Sequence, residues 1–251
     1  MKKWIVILLM LSLAFYVITG CDNIVPSEGE GEGEGEEEVK QTVLIELYIQ
    51  DGCPACSIVE PILEQMAAQK YSKEEMVLVE LAPYGIYSIP EAKSRYEWYL
   101  PSKEDRGTPN TLYNGLQDRI YGSTTENNIK TKLDALLTLT PTIQLEATRT
   151  TDSEGTVISG KVKNIGSAEL TDLVVNGMVF QNRNKQGFRY SVTDIFEDEK
   201  VVISSLAAGE EFDFTMIVEG LNWDGQNLDG VIFVQSVNHP KKVIRQSVFL
   251  E

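Results

Sequence analysis

DGCPACSIVEPILEQM, residues 51–66, decides the reading of this chain. Two cysteines, Cys53 and Cys56, stand two residues apart, and a proline follows the first. Beyond them Ile58, Val59, Ile62, Leu63, Met66 and Ala67 recur at helical spacing, which predicts a helix opening at the pair. Pro54 suits a first helical turn, where its missing N–H is not needed, and Pro61 is expected to kink the helix. A thiol at a helix N-terminus faces unpaired backbone N–H groups and the positive end of the dipole, and both favour the nucleophilic thiolate. Cys53 is therefore the expected attacking sulfur. Cys56, one turn on, is placed to resolve a mixed disulfide. Structural zinc wants four ligands, usually Cys or His. The one histidine, His239, lies far off in Asn238-His239-Pro240 and is expected in a turn, so no metal site is expected. An inert structural disulfide stays open as the alternative.

Working outward, Gln41 to Ile49 is dense in β-branched and aliphatic residues and predicts a strand buried on both faces. Glu75 to Ala82 predicts a second strand and Glu91 to Tyr99 a short helix. Thr108-Pro109 leads into a strand over Asn110 to Asn114, Asp118 to Tyr121 gives a fourth, and Asn127 to Leu137 an amphipathic helix.

This order, with Cys53-Pro54-Ala55-Cys56 opening a helix and Gly107-Thr108-Pro109 ahead of a later strand, resembles the thioredoxin-like superfamily over about residues 40–139. The resemblance implies a mixed central sheet flanked by helices, and thiol–disulfide exchange without an organic cofactor. It implies a cis peptide at Pro109, although only about 5–6% of X-Pro bonds are cis, and a substrate-facing Thr108 whose hydroxyl reaches the thiolate. It also draws notice to Glu46, the polar residue of an apolar strand, as a buried acid serving the resolving cysteine. Glu46 lies one residue further from the pair than the usual spacing, and a polar network or a sheet edge is the competing reading. The direction of electron flow is not readable. Potentials in such proteins span roughly −270 to −120 mV, about 7 kcal/mol, which a few hydrogen bonds to one sulfur cover. A reductase or isomerase direction is the expectation.

The N-terminus carries Lys2 and Lys3, then an apolar run from Trp4 to Val17 that is short of the ~20 residues of a membrane span. It ends in Ile18-Thr19-Gly20-Cys21, which resembles the lipobox of bacterial lipoproteins. The resemblance implies a signal peptide over residues 1–20, acylation of Cys21, and a lipid anchor to the bacterial membrane on its extracytoplasmic side. Seven of the acidic residues behind the net charge of −16 fall in Ser27 to Glu38, a self-repelling run expected to be a solvated linker over residues 21–39. No basic stripe points to nucleic acid. With Cys21 lipidated, the remaining two of the three cysteines pair with each other or with a partner.

Pro141 ends the last predicted helix. Eight short strands follow to Leu250, separated by turns such as Asp152-Ser153-Glu154-Gly155 and Ala208-Gly209-Glu210. The pattern predicts an all-β sandwich over residues 140–251. Lys163-Asn164-Ile165-Gly166 and Leu206-Ala207-Ala208-Gly209-Glu210 resemble bacterial immunoglobulin-like domains. The expected whole is an α/β thioredoxin-like domain followed by an all-β Ig-like sandwich domain. The expected function is a membrane-anchored thiol–disulfide oxidoreductase acting on cysteine-containing exported proteins, with electrons exchanged through a membrane electron carrier. The alternative is a cell-envelope lipoprotein that binds or scaffolds, its dithiol domain idle.

Overall fold

The computed structural model describes residues 39–183 and 187–251. Residues 1–38, which hold the expected signal peptide, Cys21 and the acidic run of the expected linker, lie outside the described residues. β1 (Val43–Tyr48) runs into the cysteine pair and α1 (Cys56–Gln69). β2 (Met76–Leu81), α2 (Pro90–Tyr99), β3 (Asn110–Tyr113), β4 (Asp118–Tyr121) and α3 (Glu126–Leu137) follow. Then come β5 (Ile143–Thr151), β6 (Gly155–Asn164), β7 (Leu170–Gln181), β8 (Ser191–Ile195), β9 (Val201–Leu206) and β10 (Glu211–Glu219). A one-turn α4 (Trp223–Gln226), β11 (Asp229–Ser236) and β12 (Ile244–Leu250) complete the chain. Among the described residues no helix is long and apolar enough to cross a membrane.

These elements do not divide into a helix-flanked α/β domain and a separate sandwich, and that expectation is corrected here. One nine-stranded mixed sheet runs through both halves of the sequence, in the order β12-β11-β7-β8-β2-β1-β3-β4, with β9 also on β7. The joint is β2 against β8. Glu80 is in parallel register with Ser191, and the Glu80 N–H donates to the Tyr190 carbonyl at 2.8 Å. β7 makes this possible by its length. Its first half pairs with β9 and its second half with β8, so β8 is free to reach β2 on its other side. A second sheet of three strands, β10-β6-β5, packs over the C-terminal strands.

Strand parity sorts the cores, because successive side chains point to opposite faces. Val43, Ile45 and Leu47 of β1, with Ile49 just beyond it, pack under α1 and α3 with Val59, Leu63, Ile129 and Leu133. Leu44 and Tyr48 face the other way, toward Tyr96 and Tyr99 of α2. That second core continues without a break into Met178, Phe180, Val192, Ile195, Val231 and Phe233 from the C-terminal half. Each fully buried side chain of this size contributes about 1.5–3 kcal/mol. A core drawn from both halves therefore fuses them, and the described residues from Val39 to Glu251 form one compact unit. A third core lies between the two sheets, from Ile143, Ile158 and Phe214 on one side to Val175, Val179, Ile232 and Val234 on the other.

Candidate active site

β1 delivers the chain to Asp51-Gly52, where Gly52 takes φ 71° and turns it. Pro54 and Ala55 form the turn itself, and α1 begins at Cys56. Cys53 and Cys56 form a disulfide, with their Cα atoms 5.3 Å apart. The two sulfurs differ in setting. Cys53 is half-buried at the surface, whereas Cys56 is 2% exposed within the core under α1. The Cys56 backbone N–H, at the first residue of the helix, is shared between Cys53 Sγ at 3.1 Å and the Cys53 carbonyl oxygen at 3.2 Å.

The Thr108–Pro109 peptide is cis, and its loop lies against the pair. The Thr108 hydroxyl and the Thr108 carbonyl oxygen each lie 3.6 Å from Cys53 Sγ. Side chains that no sequence motif marks hold this loop. Tyr96 Oη donates to the Gly107 carbonyl at 2.6 Å, and Asn110 Nδ2 donates to Tyr96 Oη at 2.8 Å. Arg119 Nε in turn donates to Asn110 Oδ1 at 2.8 Å. Burial pushes the Tyr96 phenol up to about 12, so it stays a donor at neutral pH. The four expected residues Cys53, Cys56, Thr108 and Pro109 are thus brought together.

Glu46 is not brought to them. It sits at an even position of β1 and faces α2, on the side of the sheet away from Cys56. There it pairs with Arg95, Nε to Oε1 at 2.7 Å, and accepts from Tyr99 Oη at 2.7 Å. Gln235 of β11 joins through Arg95 and Tyr99. Burial opposes the Arg95 charge, but Glu46, Tyr99 and Tyr48 outweigh it and hold the guanidinium pKa above its ordinary value. Glu46 belongs to a buried polar network, the competing reading of the sequence.

An open cleft of about 500 Å³ beside the disulfide is lined by Cys53, Pro54, Ile86, Tyr87, Glu60 and Phe188. Phe188 comes from residues 187–190, a strap between β7 and β8, and its ring lies 4.7 Å from that of Tyr87. The C-terminal half therefore builds one wall of the cleft. Three carboxylates fasten the strap. Glu60 accepts from the Phe188 N–H at 2.7 Å, Glu64 from Arg189 N–H at 3.2 Å, and Glu80 from Tyr190 N–H at 2.9 Å. Burial raises all three pKa values, Glu80 the furthest, against the pull of those amides. Ile86 is 73% exposed, leaving apolar surface in the cleft beside the pair.

No family model matches the chain, and no curated relative matches it. In structure it is similar to HBP35 of Porphyromonas gingivalis, with a TM-score of 0.65 at 16% identity, over 84% of this chain and 74% of that one. It is also similar to a protein of Agrobacterium tumefaciens, TM-score 0.58 at 17% identity, over 83% of this chain and 93% of that one. A thiol-disulfide isomerase from Corynebacterium glutamicum overlaps 44% of this chain and 90% of its own at 15% identity, with a TM-score of only 0.28. The first two likenesses concern the fold alone.

Proposed function

We propose that this chain exchanges disulfides with exported proteins through Cys53 and Cys56, while anchored at the membrane by acylated Cys21. The observation that carries the reading is the setting of Cys53. Its sulfur is the accessible one, it receives the Cys56 amide, and the Thr108 hydroxyl stands 3.6 Å away. These donors stabilise a thiolate more than a thiol. The Thr108 carbonyl beside it offers an acceptor to the backbone of an extended substrate, in the manner of strand addition.

In the reducing direction, the Cys53 thiolate attacks one sulfur of a substrate disulfide. A Cys53–substrate bond forms as the substrate S–S bond breaks, and one substrate cysteine leaves as thiolate. The Cys56 thiolate then attacks Cys53 Sγ and expels the second substrate sulfur. The substrate has gained two electrons and the pair is oxidised. A membrane dithiol carrier restores it, and the reverse sequence oxidises a substrate dithiol. The anchoring part rests on the sequence from Lys2 to Cys21.

Cys56→Ser tests the exchange, because it removes the resolving thiol and leaves the mixed disulfide standing. Non-reducing gels of cells carrying this variant should show adducts that disappear in Cys53→Ser/Cys56→Ser, and the wild-type chain should reduce insulin. A variant that traps nothing, beside a wild type that turns over nothing, would leave a binding or scaffold lipoprotein as the function. Cys21→Ser should abolish lipid labelling and leave an unprocessed precursor.

A further inference from the structure

The three strap-fastening carboxylates crowd together with little to compensate them among the described residues. Glu60 and Glu64 stand one helical turn apart on the inner face of α1, and Glu80 projects from β2 beneath them. One oxygen from each lies within 4.8 Å of the others. Glu80 is 0% exposed, and its Oε1 has no hydrogen-bond partner among the described residues. Among the described residues the nearby cation is Arg189, whose Nε lies 3.4 Å from Glu64 Oε2, and its side chain is 59% exposed. Such a cation is largely spent on water. A buried carboxylate oxygen with nothing to accept from costs on the order of 1–3 kcal/mol or more, so a ligand that binds it is favoured.

We propose that Glu60, Glu64 and Glu80 bind a hard divalent cation, with Ca²⁺ the best fit. The donor set is all oxygen, which suits Ca²⁺, Mg²⁺ or Mn²⁺ and not the softer metals. Oxygens on opposite sides of one Ca²⁺, each at about 2.4 Å, stand about 4.8 Å apart, whereas Mg²⁺ draws them to about 4.2 Å. The three oxygens lie within the Ca²⁺ span, and Ca²⁺ gives up its water to protein carboxylates more readily than Mg²⁺, which keeps several waters. Entry is from the cleft beside Cys53, which Glu60 lines. Gly187 keeps the strap close, since a Cβ there would stand 2.5 Å from Glu60 Oε1. One oxygen of each carboxylate already holds a strap amide, so the ion would lock the strap, and Phe188 with it, onto α1 and β2. The site is independent of the redox reading.

The test is calorimetric titration of the full chain with Ca²⁺, Mg²⁺ and Mn²⁺, with the thermal midpoint followed at each concentration. The expected result is one ion per chain, Ca²⁺ ahead of Mg²⁺, and a midpoint that rises with Ca²⁺ as binding to the folded state requires. Glu80→Gln and Glu64→Gln should each lose more than about tenfold in affinity. A variant with the seven linker glutamates of Ser27 to Glu38 changed to Gln should bind as wild type does. Should a glutamine variant fail to fold, the Mn²⁺ electron paramagnetic resonance signal of wild-type and linker-variant protein decides alone. No heat and no midpoint shift in the wild type, binding that vanishes with the linker charges, or binding unchanged in both folded glutamine variants would overturn the site.

Discussion

Reducing the Cys53–Cys56 bond separates a redox centre from a structural staple. The ring it closes is among the smallest a disulfide makes, with a sequence separation of 3. Cross-linking stabilises mainly by removing loop entropy from the unfolded chain. For a ring this size the loss is worth about 1.7 kcal/mol at 25 °C, against about 3 kcal/mol for a fifteen-residue loop. At about 2–4 °C per kcal/mol for a chain of this length, reduction should lower the thermal midpoint by about 3–7 °C. The assay is urea unfolding of oxidised and reduced wild-type chain, followed by the fluorescence of buried Trp223 and half-exposed Trp98. Both forms should fold, their stabilities should differ by no more than about 2 kcal/mol, and only a chain with both thiols should reduce insulin. A difference above about 4 kcal/mol would exceed the loop term and mark the bond as a staple, refuting the redox assignment.

Thr108→Val removes the hydroxyl beside Cys53 and keeps the shape; losing one hydrogen bond of about 1 kcal/mol should slow attack on a model disulfide about fivefold, with urea stability unchanged. Arg95→Met strands the Glu46 carboxylate inside the sheet and should cost about 3–5 kcal/mol in urea unfolding, whereas Glu46→Leu with Arg95→Met should recover most of that loss. Asp194 carries a pKa raised from 3.8, chiefly by burial and further by Glu91 and Asp198, against the Ile195 N–H. A carboxyl raised in the folded state favours folding while protonated and loses that contribution as pH rises through the folded value. Asp194→Asn should therefore raise the thermal midpoint at pH 7 and flatten its fall between pH 4 and neutrality; a lower midpoint at pH 7 would contradict the burial argument.

Much of the site was legible because it is local. The cysteine spacing, the helix after it and the proline ahead of β3 are each written in a few consecutive residues, and all twelve strands fall within a few residues of their predicted places. Glu46 stood between two readings, and the sequence also holds the physical reason for its place in the polar network. On a strand whose odd residues line the cysteine core, an even residue faces the other side. The three glutamates were missed because the search for ligands weighed cysteine and histidine. The i, i+4 pair Glu60 and Glu64, on a helix face shared with Val59 and Leu63, was the available signal.

What the sequence determined by itself is each element and each face, since hydrophobic period and turn chemistry act over a handful of residues. What the tertiary structure decided is the company those elements keep. Nothing in SVTDI announces that it will lie parallel to MVLVEL, more than a hundred residues earlier. Strand pairing is written in backbone hydrogen bonds that every sequence offers alike, and partners are chosen only when whole cores close. That choice joined the two expected halves through one nine-stranded sheet, and it brought Phe188 and Glu60 to the edge of the cysteine cleft.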